Sequence, residues 1–240
     1  MVGIILAAGD GVRLRKSSGR DCCKSLEKVH STRLIEYALD NLDMLGIEKA
    51  VIVIGKQGDS VKSAVGQKHK NVEIEYVHQP KQFGLINAFV QALHSVQNES
   101  AVLQLADEIF SELDINAINQ HIKAEQFDFS CGITYESNPQ KIKANFSVET
   151  DHGSLIKKCT EKPTEIINNI KGTGFCIFKN ETLEILKNIY NEEENTPKDL
   201  CDFFNYLIKS GKKGAAFCVA KNEFNINTIA DLEEAECFFN

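Results

Sequence analysis

Apolar positions along the chain fall into two alternating textures. Val2-Gly-Ile-Ile-Leu-Ala and Ala50-Val-Ile-Val-Ile-Gly55 are short, continuous, β-branched runs that read as buried strands. Between them Leu34, Ile35, Ala38, Leu39, Leu42 and Leu45 recur at helical spacing, and Gly46 supplies a stop. The alternation predicts a strand over 72–77, a helix over 84–96, a strand over 101–105, a helix over 115–124 and a strand over 127–133. Continuous apolar strands separated by helices predict a parallel sheet covered on both faces. After about Asn138 the texture becomes polar and extended, at 144–149 and 155–160. A strand over 172–178, helices over 181–189 and 197–209, a strand over 214–220 and a last helix from Thr228 then follow. There is no internal repeat, low-complexity tract or Pro/Gly/Ser linker, so the second part reads as a lobe built onto the same sheet.

Composition narrows the function classes. The 240 residues carry 27 basic and 34 acidic side chains, a net charge of −7, which opposes coating of nucleic acid or an anionic membrane. Residues 10–28 are the exception, with six basic and three acidic side chains, a local charge of +3 against −10 for the remainder. The eight cysteines include no CxxC pair and the six histidines no HxH or HxxxH spacing, so neither a disulfide framework nor a zinc site is expected. The apolar opening is too short to span a bilayer and lacks the layout of a signal peptide. A soluble, cytoplasmic protein with reduced thiols is the expectation.

The strongest chemical feature is Leu6-Ala-Ala-Gly-Asp-Gly-Val-Arg-Leu14, a glycine-rich turn leaving the first strand. Glycines there let the backbone N–H groups approach phosphate closely. Neither familiar phosphate loop fits: the third position of GxGxxG is Leu14, and Cys23 rather than glycine precedes Lys24. What remains is a turn followed by a basic loop, Arg13 to Lys24, whose cations can neutralise a polyphosphate.

These residues resemble the opening of the sugar-1-phosphate nucleotidyltransferases, whose pattern is LAAGxGxRL followed by a Lys-x-Leu segment. The similarity continues in register. Leu26 to Leu42, ending LIEYALDNL, resembles the family helix after the lysine loop, and Gln79-Pro-Lys-Gln-Phe-Gly-Leu-Ile-Asn-Ala-Phe89 its base-reading segment. Leu105-Ala-Asp-Glu-Ile-Phe110 resembles the metal-binding strand end, Glu161-Lys-Pro163 the EKP motif, Gly172 to Phe178 the following strand, and Phe224-Asn-Ile-Asn-Thr-Ile-Ala-Asp-Leu232 the closing run.

The resemblance implies an α/β fold: a Rossmann-like mixed, mainly parallel sheet with helices on both faces and a small sugar-binding lobe. It implies one domain over 1–240, nucleotide-binding over 1–137 and acceptor-binding over 138–240, with no appended repeat domain. The implied nucleotide contacts are Leu6, Ala8, Gly9, Gly11, Gln79 and Gly84, with Gln79 suited to the imide edge of uracil or thymine. Arg13 on the leaving phosphates and Lys24 near the α-phosphate are the implied catalytic cations, Lys16 being the alternative lysine. Asp107 and Asn225 would hold Mg²⁺. Asn145, Glu161, Lys162 and Gly174 would line the acceptor site, with Lys162 on its phosphate and Glu161 on its hydroxyls. The partners implied are a nucleoside triphosphate and a phosphorylated small molecule, with homo-oligomerisation left open.

Four positions depart from the family pattern: Val12 for Thr, Cys23 for Pro, Ala106 for Gly, and Asn225 where many members carry a second metal-binding Asp. Asn145 also stands where sugar-binding members often have glycine. Two further readings therefore stand beside the one the resemblance implies, transfer of a nucleoside monophosphate from a nucleoside triphosphate, pyrimidine favoured, to a sugar 1-phosphate with release of pyrophosphate: transfer to a non-sugar phosphate or phosphonate, and a catalytically silent nucleotide-binding paralogue.

Overall fold

The computed structural model describes residues 1–19, 23–190 and 196–239. Arg20 of the predicted basic loop, together with Cys22, lies outside them. The chain opens with β1 (Val2–Ala7), α1 (Val12–Ser18), a 3-10 turn at Lys24–Leu26, β2 (Lys28–Val29), β3 (Thr32–Arg33), α2 (Leu34–Met44) and β4 (Lys49–Ile54). It continues through α3 (Gly58–Val65), β5 (Lys68–His69), β6 (Val72–His78), α4 (Leu85–Leu93), β7 (Ala101–Leu105), β8 (Glu108–Leu113), α5 (Ile115–Lys123) and β9 (Phe129–Tyr135). The second half holds α6 (Pro139–Ala144), β10 (Phe146–Thr150), β11 (Ile156–Glu161), β12 (Ile170–Phe178), α7 (Asn180–Tyr190), α8 (Leu200–Lys209), β13 (Gly214–Cys218), β14 (Ala220–Asn225) and α9 (Ile229–Phe239).

Ten strands form one mixed sheet. Its centre, β7-β1-β4-β6, is parallel, so the carboxyl ends of these strands share one edge. β12 adds antiparallel to β7 and carries β10, β11 and β9 with it, and β13 pairs parallel with β9. The strands after 138 thus extend the same sheet. Period-two alternation fills both faces: Ile4, Val51, Val53 and Leu103 face one core with α4, α7 and α8, while Ile5, Ile52, Ile54 and Val102 face another with α2 and α5.

A third, smaller core positions the site. Leu14 of α1, Val29, Leu34, Ile109 of β8, Phe224 of β14, and Leu232 and Ala235 of α9 pack together. It lies outside the main sheet, on the two-stranded ribbon that β8 and β14 form. Leu14 is completely buried there. This explains why the third glycine of a dinucleotide fingerprint is absent: the position anchors a helix by its side chain instead of admitting close backbone packing.

Two sequence expectations are corrected by this ribbon and its surroundings. The basic stretch expected as a loop from Arg13 is helical over Val12–Ser18, because Leu14 gives it an apolar anchor and Gly11 and Gly19 bound it in left-handed conformations. The expected strand over 214–220 is two strands, 214–218 and 220–225, and the second pairs with 108–113. The alternation in that ribbon is masked by Glu108 and Glu223, buried charges in strand positions that read as exposed.

Candidate active site

The carboxyl edge of the parallel strands is where open α/β sheets bind ligands. A cleft of about 320 Å³ lies there, within the range of small-molecule sites. Leu6 walls it from the end of β1, Ala8 and Gly9 after β1, Gln79 after β6, Gly84 ahead of α4, Asp107 after β7, and Lys24 from the 3-10 turn. A Cβ at Gly9 would meet nothing within 4 Å, so this backbone faces open space.

Gly11 is required twice. Its φ of +60° suits glycine, and an added Cβ would lie 2.9 Å from the Lys24 Cβ. The glycine turn therefore seats against the lysine. Lys24 Nζ, half-buried, pairs with the Asp107 carboxylate and donates to Asn227 Oδ1 at 3.0 Å. Lys16 and Arg13 lie exposed on α1 and do not wall the cleft.

Gln79 is almost fully buried, and its amide orientation is fixed by its neighbours. Nε2 donates to the Gly84 carbonyl at 3.1 Å and to Asn87 Oδ1 at 2.8 Å. A backbone carbonyl only accepts, so the nitrogen must face Gly84 and Oε1 is presented elsewhere. Asn87 is held in turn by donating to the Tyr190 hydroxyl. Across the cleft, Gln82 Nε2 bonds the Ala8 carbonyl at 2.9 Å.

Asp107 and Asn225 are brought together by the ribbon. Glu108 pairs with Asn225 in register, and the Ile226 N–H donates to the Asp107 carbonyl at 2.9 Å. Asn225 donates from Nδ2 to Asn145 Oδ1 at 2.9 Å and accepts on Oδ1 from Asn227 Nδ2 at 2.6 Å. Among the described residues no group of three or more His, Cys, Asp or Glu side chains could hold a metal. The Asp107 carboxylate and the Asn225 amide oxygen are donors of the kind that hard divalent cations take.

Beneath this pair lies a buried charged cluster. Lys171 of β12 pairs with Glu223 of β14, both nearly inaccessible, and Glu108 accepts from the Gly174 N–H at 2.7 Å. Burial, reinforced by the Glu223 and Asp107 charges, pushes the Glu108 carboxyl well above its ordinary range. Burial also raises Glu223, against the pull of Lys171. Gly174 admits no side chain, since a Cβ would lie 2.3 Å from Leu105 Cγ.

The remaining predicted acceptor residues meet at the start of β10. Phe146 pairs with Glu161 across the β10–β11 ladder, and the Lys162 N–H donates to the Asn145 carbonyl at 2.7 Å. Lys162 adopts φ +43°, sparsely populated for a residue with a side chain and held here by that bond. Burial raises the Glu161 carboxyl, outweighing the Lys162 ammonium 3.2 Å away, and the Asp199 charge adds to the rise.

Sequence reasoning missed Asn87, which orients Gln79; Gln82, which spans the cleft; and Asn227, which holds Lys24. For Asn227 a signal existed. It lies two residues from Asn225 in the same Asn-Ile-Asn-Thr run, just past the end of β14.

The cleft, walled by a glycine turn, a lysine–aspartate pair and an oriented amide, lies at the carboxyl edge of the parallel strands, where open α/β sheets bind ligands. The chain belongs to the nucleotidyl transferase family, whose sequence profile matches residues 2–238. It is 25% identical to the UTP–glucose-1-phosphate uridylyltransferase AglF of Haloferax volcanii, over 98% of this chain and 95% of that protein. It is 26% identical to the bifunctional protein GlmU of Acetivibrio thermocellus over 98% of this chain, spanning 50% of that longer protein. In fold it superimposes on a UDP-glucose pyrophosphorylase complexed with UDP-glucose, with a TM-score of 0.84 at 19% identity, over 99% of this chain and 97% of the other.

Proposed function

We propose that the protein transfers a nucleoside monophosphate from a pyrimidine nucleoside triphosphate to a sugar 1-phosphate, releasing pyrophosphate. The observation that carries the reading is the joining of Lys24 and Asp107 at the wall of the cleft that Gln79 closes. Likeness in sequence to a UTP-using, glucose-1-phosphate-using relative supports the choice of substrates.

The chemistry asks for positioning and charge neutralisation. The acceptor is a phosphate monoester with a second pKa of about 6, ionised at neutral pH, so no general base is needed. An acceptor phosphate oxygen forms a new bond to the α-phosphorus, and the bridging oxygen leaves with pyrophosphate. Lys24 lies against the α-phosphate and stabilises the charge that gathers there. Gly9 and Gly11 let the backbone approach the phosphates, and Arg13, exposed on the first turn of α1, meets the leaving pair. Asp107 and the free lone pair of Asn225 Oδ1 would hold Mg²⁺, which supplies charge neutralisation to the triphosphate when bound. Lys162 takes the acceptor phosphate and Glu161 its hydroxyls.

Gln79 Oε1 accepts from the imide N–H of uracil or thymine, because its nitrogen is already committed to Gly84 and Asn87. A reducing, cytoplasmic location is part of this reading, supported by cysteine spacing that includes no CxxC pair and no regular framework. No helix among the described residues is long and apolar enough to cross a membrane.

Pyrophosphate release is the test, measured for the four ribonucleoside triphosphates and dTTP against glucose 1-phosphate, other sugar 1-phosphates and phosphocholine. The reading expects turnover with UTP or dTTP and a sugar 1-phosphate; turnover confined to phosphocholine, or none with any pair, overturns it.

A further inference from the structure

Both hydrogens of the Gln79 side-chain amide are committed. Nε2 donates one to the Gly84 carbonyl at 3.1 Å and the other to Asn87 Oδ1 at 2.8 Å. A primary amide has only two such hydrogens, so the nitrogen has none left for a base and Oε1 alone can meet one. The two bonds do different jobs. The Gly84 carbonyl fixes which end of the amide faces it, but on its own it would leave the second hydrogen free for the ring nitrogen of cytosine. Asn87 takes that hydrogen only while its own amide keeps Oδ1 toward Gln79, since a half-turn would set nitrogen against nitrogen.

Tyr190 holds Asn87 in that sense. With Oδ1 taken by Gln79, Asn87 Nδ2 is turned to the Tyr190 hydroxyl and donates to it. Gln79 and Asn87 are 4% and 7% exposed, so bulk water offers little substitute for a lost partner. Tyr190 is the last residue of α7 and packs against the main core, which fixes where the hydroxyl stands. Further along the chain the same region leans on the base-facing loop: Thr196 Oγ1 donates to the Tyr190 carbonyl at 3.2 Å, and the Lys198 carbonyl lies 3.8 Å from where a Cβ on Gly84 would sit. A helix of the second half of the chain thus supports the base-facing amide of the first.

We propose that Tyr190 sets nucleobase selectivity as a positioning residue: its hydroxyl holds Asn87, Asn87 takes the second Gln79 hydrogen, and only the Gln79 oxygen is left for the base. The proposal rests on the pyrimidine-nucleotide reading of the cleft, not on transfer to any acceptor. Tyr190→Phe keeps the ring in the core and removes only the hydroxyl, which leaves Asn87 Nδ2 without this acceptor. Titration calorimetry with Mg²⁺ and no acceptor should show UTP bound more tightly than CTP by about 10-fold or more in the wild type. In Tyr190→Phe that preference should shrink about 5-fold or more, mainly through tighter CTP binding, with Kd for UTP changed less than about 3-fold. Added to Asn87→Leu, the same change should shrink it by no more than about 2-fold further, because the hydroxyl then has no amide to hold. A purely structural role would weaken both nucleotides alike and leave the ratio where it was.

A second measurement follows Gln79 itself: hydrogen exchange of its side-chain NH₂, read by NMR on the pair of peaks missing from Gln79→Glu. Tyr190→Phe should speed that exchange about 5-fold or more relative to the buried Gln104 amide, which is held separately by the Ala38 carbonyl and Asn41. An unchanged UTP-to-CTP ratio overturns the proposal, as does an equal loss for both nucleotides, the same shrinkage with and without Asn87, or an unchanged Gln79 exchange rate. A wild-type protein that binds UTP over CTP yet releases no pyrophosphate with any sugar 1-phosphate defeats the transfer reading alone, and the role of Tyr190 stands.

Discussion

The Gln79 side-chain nitrogen donates to the Gly84 carbonyl at 3.1 Å, and that one bond decides which face of an amide a base would meet. The face presented is the acceptor. Uracil and thymine offer an imide N–H to it, whereas cytosine offers a bare ring nitrogen, setting two acceptors against each other. Leaving a buried polar group unpaired is heavily penalised, so kcat/KM for UTP or dTTP should exceed that for CTP by about 10²-fold or more. Asn87→Leu, which removes one bond holding Gln79, should shrink this ratio with a smaller effect on the UTP rate. Steady-state kinetics with the three triphosphates checks both.

Asp107 is partly exposed and its side chain is paired with Lys24, so the fold gains little from it. Asp107→Ala should reduce turnover by about 10²-fold or more while the thermal midpoint moves by only a few degrees. Retained activity at saturating Mg²⁺ would remove Asp107 from the reaction.

Lys171 and Glu223 form a buried ion pair joining the main sheet to the ribbon that carries Asp107 and Asn225. Removing one partner strands a charge, and Glu223→Ala should cost about 3–5 kcal/mol in urea unfolding. Replacing both together, Lys171→Met with Glu223→Leu, should recover most of that loss, because the desolvation penalty vanishes with the pair.

Glu161 should govern the acid limb of acceptor use. As a hydroxyl acceptor it works ionised, and burial raises its pKa, so kcat/KM for the acceptor should begin to fall at a higher pH than an ordinary carboxylate near 4.3 would dictate. The stability effect has the opposite sense: the native state holds this proton more tightly, a contribution complete below the unfolded pKa and lost as pH rises through the folded one. Glu161→Gln should remove the carboxylate's part of the profile and leave only that of the substrate phosphate.

Much of this was legible in the chain, for reasons that differ by element. The parallel centre was plain because strands buried on both faces must be continuously apolar, as Ile4, Ile5, Ile52 and Val53 are. Asp107 could be placed because it lies just past such a strand, β7, whereas Leu6 and Gln79 were legible through the motifs that resemble the family. The β8–β14 ribbon was hidden because Glu108 and Glu223 occupy buried strand positions and are satisfied only by Lys171 and Gly174, which are distant in sequence. Helix α1 was hidden because its single apolar anchor, Leu14, shows no periodicity over seven residues. Partnerships such as Asn87 with Gln79, or Asn227 with Lys24, depend on tertiary contacts that spacing alone does not encode.

The central claim, transfer of a nucleoside monophosphate to a sugar 1-phosphate, is tested most directly by following the phosphorus. UTP or dTTP labelled at the α-phosphate is incubated with glucose 1-phosphate and Mg²⁺, and the products are separated. The account predicts that the label appears in a nucleotide sugar, with one pyrophosphate released per molecule formed; label recovered only as free nucleotide, or release of orthophosphate instead of pyrophosphate, would contradict it.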